Sequence, residues 1–277
     1  AAAILRLEQQ GRLRVSDRLT AWLGPLPAPK DQVTLHDLLV HAGGLTPLSH
    51  PVFEERSEDF IAGLRSTPAE FAPGQAQRHT DIGYSALALV VERASGMPYE
   101  TFVRRELLVP AGMQNTWFDS EAPPPHTAIE YSDTFDPRSA VGQRPYVWGR
   151  RGAMGIVSTV EDLYRWHRAL EQGLFPPDVP ERMYSAGIVN PWRSITGYGW
   201  ATRRTGRGTT VHQLLSGWPG NSVELMHDPA KRITVALMMD NRVDWVHPRH
   251  DAIVRIALTG DPDGSAQSHL QRTIRNW

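Results

Sequence analysis

The sequence predicts an α+β fold in which an antiparallel sheet, flanked by terminal helices, is joined to a mostly helical domain. A change in hydrophobic period carries this prediction. Apolar residues follow helical spacing through residues 34–173, whereas short segments between residues 198 and 239 have the character of strands joined by Gly or Asp-Pro turns. We therefore expect residues 1–33 and 174–277 to form the sheet domain, and residues 34–173 to form the helical domain.

The amino-terminal segment predicts a helix. Ile4, Leu5 and Leu7 are its apolar positions, and Gly11 supplies a stop signal. No Ser, Thr or Asp cap precedes them, so we expect earlier helical turns and interpret the chain as part of something longer. Residues 12–33 contain three prolines in close succession and are expected to form a loop.

Capping and stop signals define the helices of the middle zone, and a stretch rich in Pro, Asp and Gly at residues 119–152 predicts a long loop. One helix follows Thr34, a second runs from Tyr84 to Ala94 before Gly96, a third opens at Pro98 and stops before Pro110, and a fourth follows the capping box Ser158–Glu161.

Four short strands are predicted in the last third of the chain, and they are expected to pair as an antiparallel sheet. In the fourth strand apolar residues occupy both alternating sets, which indicates that both faces are covered. The strands are Tyr198–Arg204, Thr209–Leu215, Ser222–His227 and Arg232–Met239, and helical spacing returns at Ala252–Leu258.

Composition excludes several function classes. A net charge of -1 argues against a nucleic-acid partner. No apolar run approaches the roughly eighteen residues of a membrane-spanning helix, so no membrane span is expected. Without cysteine, the chain has no disulfide, thiol nucleophile or thiolate metal site. His247 and His250 lack an acidic or histidine cluster at metal-binding spacing, and we expect no metal and no cofactor.

Segments spread along the chain carry a family resemblance. Together they span roughly residues 1–258, and their order matters more than any single match. They are Leu7–Leu13, Val33–Leu45, Pro73–Gly74 with His79–Tyr84, Gly152–Thr159 with Glu161–Leu163, and Ser216–Gly220 with Asp228–Pro229 and Arg232–Asp240. In this order they resemble class C β-lactamases, DD-peptidases, penicillin-binding proteins and their esterase relatives.

The resemblance implies a β-lactamase/transpeptidase-like fold and an acyl-serine mechanism. Relatives of this kind use a serine activated by a lysine three residues later. The chain has only two lysines, Lys30 and Lys231, and neither follows a serine at that spacing. The resemblance implies that the serine and its lysine lie upstream, with the serine about seven residues before Ala1. The sheet strands that precede the serine in the family are likewise expected upstream.

The Tyr-x-Asn motif of the family falls on His79 and Asp81. An imidazole can replace a phenol as general base, and a carboxylate two residues later can orient the ring. The resemblance therefore makes His79 and Asp81 the candidate catalytic residues. The competing interpretation is drift in a protein that no longer performs acyl transfer, and the sequence leaves both open.

The Lys/His-Thr/Ser-Gly strand of the family falls on Leu215, Ser216 and Gly217, and Trp218 follows as a candidate apolar wall. These four are the predicted substrate-binding residues, with Gly217 placing backbone near an oxyanion. An alkyl group at Leu215 cannot bind a substrate carboxylate. This favours an ester or amide that lacks one, although a dead site in which Leu215 only packs is the alternative.

Two functions therefore remain open. The first is a serine hydrolase acting on a small-molecule ester, amide or lactam, with its nucleophile upstream of Ala1. The second is a non-catalytic relative that binds a ligand or a partner protein in its cleft. Relatives of this family are often periplasmic or secreted in bacteria, whereas compartment and oligomeric state are left undetermined by the sequence.

Overall fold

The fold is described from a computed structural model. Helices fill the first two thirds of the described part, and a sheet follows. The described residues are 1–46, 56–122, 127, 147–189, 195–204, 209–218, 220–241 and 256. The helices are α1 (Ala2–Gln9), α2 (Thr20–Leu23), α3 (Leu35–Leu39), α4 (Ser57–Ser66), α5 (Asp81–Ser95), α6 (Tyr99–Val103), α7 (Val160–Glu171) and α8 (Asp178–Ser185).

Helix α1 confirms the amino-terminal prediction. Its buried positions include Ile4, Leu5 and Leu7, and Gly11 follows it with a left-handed φ of 70°. The expected loop at residues 12–33 is wrong in part, because it contains α2 and a 3-10 turn at Lys30–Gln32. Both short elements pack against the core. Leu23, at the end of α2, and Val33, directly after the 3-10 turn, are fully buried.

Local capping chemistry fixes the helices of the middle zone. Thr34 and Asp37 form a reciprocal capping box at the start of α3, and the Thr159 side chain accepts from the backbone N–H of Asp162 at the start of α7. Helix α5 ends at Gly96, which adopts the left-handed conformation. Apolar residues surround most of α5, so it is the central buried helix of this region.

Lys30 has a structural role. Its side chain is only 3% exposed, and its ammonium donates to the carbonyl groups of Leu64 and Thr67 at the carboxyl end of α4. A cation at this end of a helix satisfies carbonyls that lack intrahelical partners. The Lys30 ammonium therefore caps the carboxyl end of α4.

The sheet is antiparallel, in the order β3-β4-β5-β6-β7-β8, and it confirms the four predicted strands with small shifts of their ends. A separate two-stranded sheet pairs β1 with β2. The strands are β1 (Trp117–Phe118), β2 (Ile156–Val157), β3 (Ile188–Val189), β4 (Ile195–Thr196), β5 (Ala201–Arg204), β6 (Thr210–Trp218), β7 (Gly220–Asp228) and β8 (Ile233–Asn241).

Alternation along the long strands separates the two faces of the sheet. Leu214, Leu225 and Ala236 pack on the main core, which also contains residues of α1, α3 and α5. On the other face, Val211 and Met226 belong to a smaller apolar cluster. This arrangement is the predicted α+β class, with a sheet backed by helices. The division into domains at residues 33 and 173 stays a prediction.

Some predicted elements fall outside the described residues. The helix at Ala252–Leu258 does so apart from Ile256, which is helical, and the pair His247 and His250 does so entirely. Within the described part of the chain, none of the helices combines the length and apolar character needed to cross a membrane.

Candidate active site

Three aromatic rings stack where the loop before α5 meets the turn after α3. The ring of His41 lies between those of His79 and Tyr84, with centroid distances of 4.6 Å to His79 and 5.0 Å to Tyr84. His79 is exposed, whereas His41 and Tyr84 are partly buried. The stack therefore runs from solvent at His79 to the interior at Tyr84.

Backbone contacts hold the two segments together. The backbone N–H of Arg78 donates to the carbonyl of His41 at 2.9 Å, and the Gln77 amide donates to the carbonyl of Val40 at 3.0 Å. The backbone N–H of Thr80 faces Nδ1 of His41 at 3.4 Å. His41 itself has a left-handed φ of 58°, which is uncommon for a residue other than glycine. These contacts set the position of His79 relative to His41.

Burial and the neighbouring His79 lower the pKa of His41 from its ordinary value of 6.5 to about 3. Both causes act in the same direction, because a buried imidazole loses solvation of its charged form and a second imidazolium would repel it. His41 is consequently neutral at physiological pH. A neutral ring packs against His79 without adding positive charge to the site.

The lowered pKa of His41 predicts acid sensitivity. In the unfolded chain the His41 imidazole becomes protonated near pH 6.5, whereas in the folded chain it becomes protonated only near pH 3. The free energy of unfolding therefore falls as the pH drops from 6.5 to 3. Between pH 7 and pH 5 this one group should lower the free energy of unfolding by up to about 2 kcal/mol. His41→Asn, which tolerates the left-handed backbone, should reduce that loss in urea unfolding.

An internal control accompanies the His41 measurement. Between pH 9 and pH 8 the His41→Asn and wild-type proteins should show the same change in unfolding free energy, because this imidazole is neutral in both the folded and the unfolded chain there. An equal loss in the two proteins between pH 7 and pH 5 would contradict the assignment of a lowered pKa to His41.

Asp81 is the first residue of α5. Thr80 caps this helix, its side chain accepting from the backbone N–H of Ile82, and a carboxylate in the first turn is favoured by the helix dipole. The ring contact that the structure records for His79 is with His41. Orientation of His79 by Asp81 stays a prediction.

The amino end of α1 also reaches this site. The hydroxyl of Tyr84 donates to the carbonyl of Leu39 at 2.9 Å. A Cβ placed on Gly199 would lie 3.7 Å from that hydroxyl and 3.5 Å from Cβ of Ala1. Ala1, Tyr84 and Gly199 are thus in mutual proximity, and α1 points its amino end toward the ring stack.

The predicted substrate-binding residues lie at the carboxyl end of β6. Leu215 is half-buried and pairs with Glu224, and Ser216 is exposed and pairs with Val223. Gly217 and Trp218 continue the ladder opposite Ser222 and Asn221. By alternation Ser216 shares the face of Leu214, which packs on the main core, while Leu215 and Gly217 share the other face.

The turn before β2 packs directly against α5. Gly152 has a left-handed φ of 77°, and a Cβ there would lie 2.5 Å from the carbonyl oxygen of Tyr84. The Ser85 hydroxyl donates to the carbonyl of Gly149 at 3.0 Å. Neighbouring side chains are buried or paired. Trp148 is 6% exposed, and Arg150 forms an ion pair with Asp119 at 3.1 Å. The Arg151 guanidinium lies over the Trp148 ring and forms ion pairs with Glu92 and Glu100.

The ring stack combines an exposed imidazole, a partly buried neutral imidazole and a tyrosine hydroxyl. An exposed imidazole of this kind can exchange a proton with a bound ligand. Substrate binding by the end of β6 stays a prediction. The motif predicted His79, whereas His41 was not among the predicted site residues. The signal that could have indicated His41 is its position in the Val33–Leu45 segment.

Comparisons with known proteins agree with this architecture. The family model described as Beta-lactamase matches residues 1–261. The chain is 26% identical to Penicillin-binding protein 4* of Bacillus subtilis (strain 168) over 95% of this chain, and 24% identical to Beta-lactamase of Escherichia coli (strain K12) over 86%. A D-stereospecific amidohydrolase from Streptomyces sp. superposes with a TM-score of 0.79 at 19% identity, covering 94% of this chain and 83% of that one.

The two curated relatives are longer proteins. The chain spans 63% of the penicillin-binding protein and 62% of the β-lactamase. The structural likeness to the amidohydrolase, at 19% identity, establishes the shared fold. Because the family model matches most of this chain, the chain belongs to the Beta-lactamase family.

Proposed function

We propose that the protein is a serine hydrolase that forms an acyl-serine intermediate on an ester or amide, with its nucleophile in residues that precede Ala1. The observation that carries this proposal is the His79–His41–Tyr84 stack beside the amino end of α1, in a chain of the Beta-lactamase family. Through this stack the candidate base His79 is connected by His41 to Tyr84, whose hydroxyl lies near Ala1, and this supports the proposal.

The position of the nucleophile follows from the direction of α1. Residues that continue this helix backward from Ala1 would extend toward Tyr84 and Gly199. A serine there, followed by a lysine one turn later, would project into the same space. Within residues 1–277 no serine is followed by a lysine at that spacing. The 277-residue chain alone is therefore expected to lack acyl transfer.

His79 would act as the general base. A serine hydroxyl becomes a good nucleophile only when a neighbouring base takes its proton. His79 is exposed, and it packs on a His41 ring that burial keeps neutral. Only a neutral imidazole can accept a proton, so a neutral neighbour favours this role. Asp81, at the start of α5, would contribute negative charge close by in sequence.

The end of β6 would bind the substrate. Gly217 would bring backbone close to the reacting carbonyl, and Ser216 would offer its exposed hydroxyl. Leu215 provides an alkyl group at the family position that holds a cation or an imidazole. This position therefore suits an uncharged acyl or leaving group better than a carboxylate.

Substrate preference tests this proposal. The full-length protein should hydrolyse short-chain aryl esters faster than nitrocefin or penicillin, because Leu215 offers no partner to the lactam carboxylate. Loss of one charge-assisted hydrogen bond corresponds to roughly tenfold to a hundredfold in kcat/KM. Leu215→His should raise lactam turnover by a comparable factor.

Leu215→Ala is the matched control, since it changes the volume of the side chain without adding a polar group. It should leave lactam turnover low. Efficient lactam turnover by the wild-type protein that Leu215→His does not improve would contradict this substrate assignment. Turnover of neither substrate class would favour a non-catalytic protein that binds a ligand.

A further inference from the structure

A second polar cluster lies where α7 packs against the sheet. His167 and Glu171 are four residues apart on α7 and so lie on the same side of the helix. His227 lies on β7, opposite His212 of β6 and Thr234 of β8. The fold thus brings together two imidazoles and a carboxylate from segments that are about 60 residues apart in sequence.

The two imidazoles share one carboxylate. Nε2 of His167 lies 3.6 Å from one oxygen of Glu171, and Nε2 of His227 lies 3.6 Å from the other. The ring centroids of the two histidines are 4.2 Å apart, with an interplanar angle of 44°. One ligand atom from each of the three residues lies within 4.8 Å of the others.

These distances exceed those of direct hydrogen bonds and approach the separation between two ligand atoms bound to the same metal ion. An N–H···O bond has its heavy atoms at about 2.7–3.2 Å. Two ligands at about 2.0–2.2 Å from one tetrahedral ion lie about 3.3 Å apart. Each imidazole is thus 3.6 Å from a carboxylate oxygen, close to the spacing of two ligands on one ion, and small side-chain rotations would bring the three ligand atoms around a common point.

Most of this cluster is shielded from solvent. His167 is 1% exposed and His227 is 7% exposed, while the Glu171 side chain is 38% exposed and opens the cluster to solvent. Nδ1 of His167 is buried without a hydrogen-bond partner among the described residues.

We propose that His167, Glu171 and His227 form a binding site for a zinc ion. Two imidazoles and one carboxylate make a three-ligand donor set that suits zinc, with a fourth position open to water. Arg168 donates to one Glu171 oxygen at 3.1 Å, and its side chain is 41% exposed. This arginine can turn toward solvent when the ion binds. The ion would tie α7 to β7.

Cobalt and zinc titrations test the site. Protein freed of metal with a chelator should bind one Co²⁺ ion per chain with visible absorption typical of a tetrahedral site, and Zn²⁺ should displace it. Glu171→Gln and His167→Gln should each weaken binding by more than about 100-fold, since even residues that only orient a ligand contribute about 10–100-fold. Zn²⁺ should raise Tm of the wild type and leave Tm of both variants unchanged.

His212→Gln is the matched control. Its ring centroid is 6.5 Å from that of His227, and its Nδ1 is hydrogen-bonded to the Thr202 hydroxyl at 2.8 Å, so this variant should bind Co²⁺ like the wild type. Glu171→Gln, at a partly exposed position, protects the test against a failure of His167→Gln to fold. Absence of 1:1 binding, or binding lost only when His247 and His250 are replaced, would overturn the proposal.

Discussion

Replacing His79 by alanine should lower kcat for an aryl ester by about 10²–10⁴ in the full-length protein, the usual contribution of a general base. The reason is that the imidazole would share with the upstream lysine the task of accepting the serine proton, and alanine offers no acceptor. Steady-state kinetics of the two proteins measures this effect.

His79→Tyr is the control for this prediction. It restores the residue type of the family motif, so activity should be retained. Asp81→Ala should produce a smaller loss of kcat if the carboxylate orients the ring. A His79→Ala protein with wild-type kcat would show that His79 takes no part in the reaction.

Gly152→Ala should destabilise the protein by about 2–5 kcal/mol. The left-handed φ of 77° disfavours any L side chain. In addition, the new Cβ would lie 2.5 Å from the Tyr84 carbonyl oxygen and 2.8 Å from Cβ of Ala88, so α5 and the turn would have to separate. Chemical denaturation of the two proteins measures the difference in unfolding free energy.

Gly96→Ala separates the two causes. Gly96 has a similar φ of 71°, but a Cβ there would meet no atom within 4 Å. It should therefore show the backbone contribution alone, about 1–2 kcal/mol. Equal destabilisation by the two substitutions would contradict the close approach of Gly152 to α5.

Local signals account for the parts of the fold that the sequence predicted well. The Thr34 capping box and the Gly96 stop act within a few residues, and both appear in the structure. Strands β6 to β8 were also predicted, because a run of strand-forming residues between turn signals needs no distant information. Strands β1 and β2 are two residues each, too short for any period to be visible.

The two candidate sites differ in how far the sequence could predict them. His79 stands in a recognisable motif, whereas its contact with His41 depends on how the loop before α5 meets the turn after α3. The cluster of His167, Glu171 and His227 was missed, and we had expected no metal. His167 and Glu171 read as part of an amphipathic helix, and only the packing of α7 on β7 brings His227 to them.

Covalent labelling tests the central claim most directly. The full-length protein and the chain that begins at Ala1 would each be treated with a fluorophosphonate probe, which reacts with activated serines, and then analysed by intact mass and peptide mapping. We expect one adduct on the full-length protein, on a serine that precedes Ala1 and is followed three residues later by a lysine, and no adduct on the shorter chain. An unlabelled full-length protein, or an adduct on a serine within residues 1–277, would contradict the proposed acyl-serine mechanism.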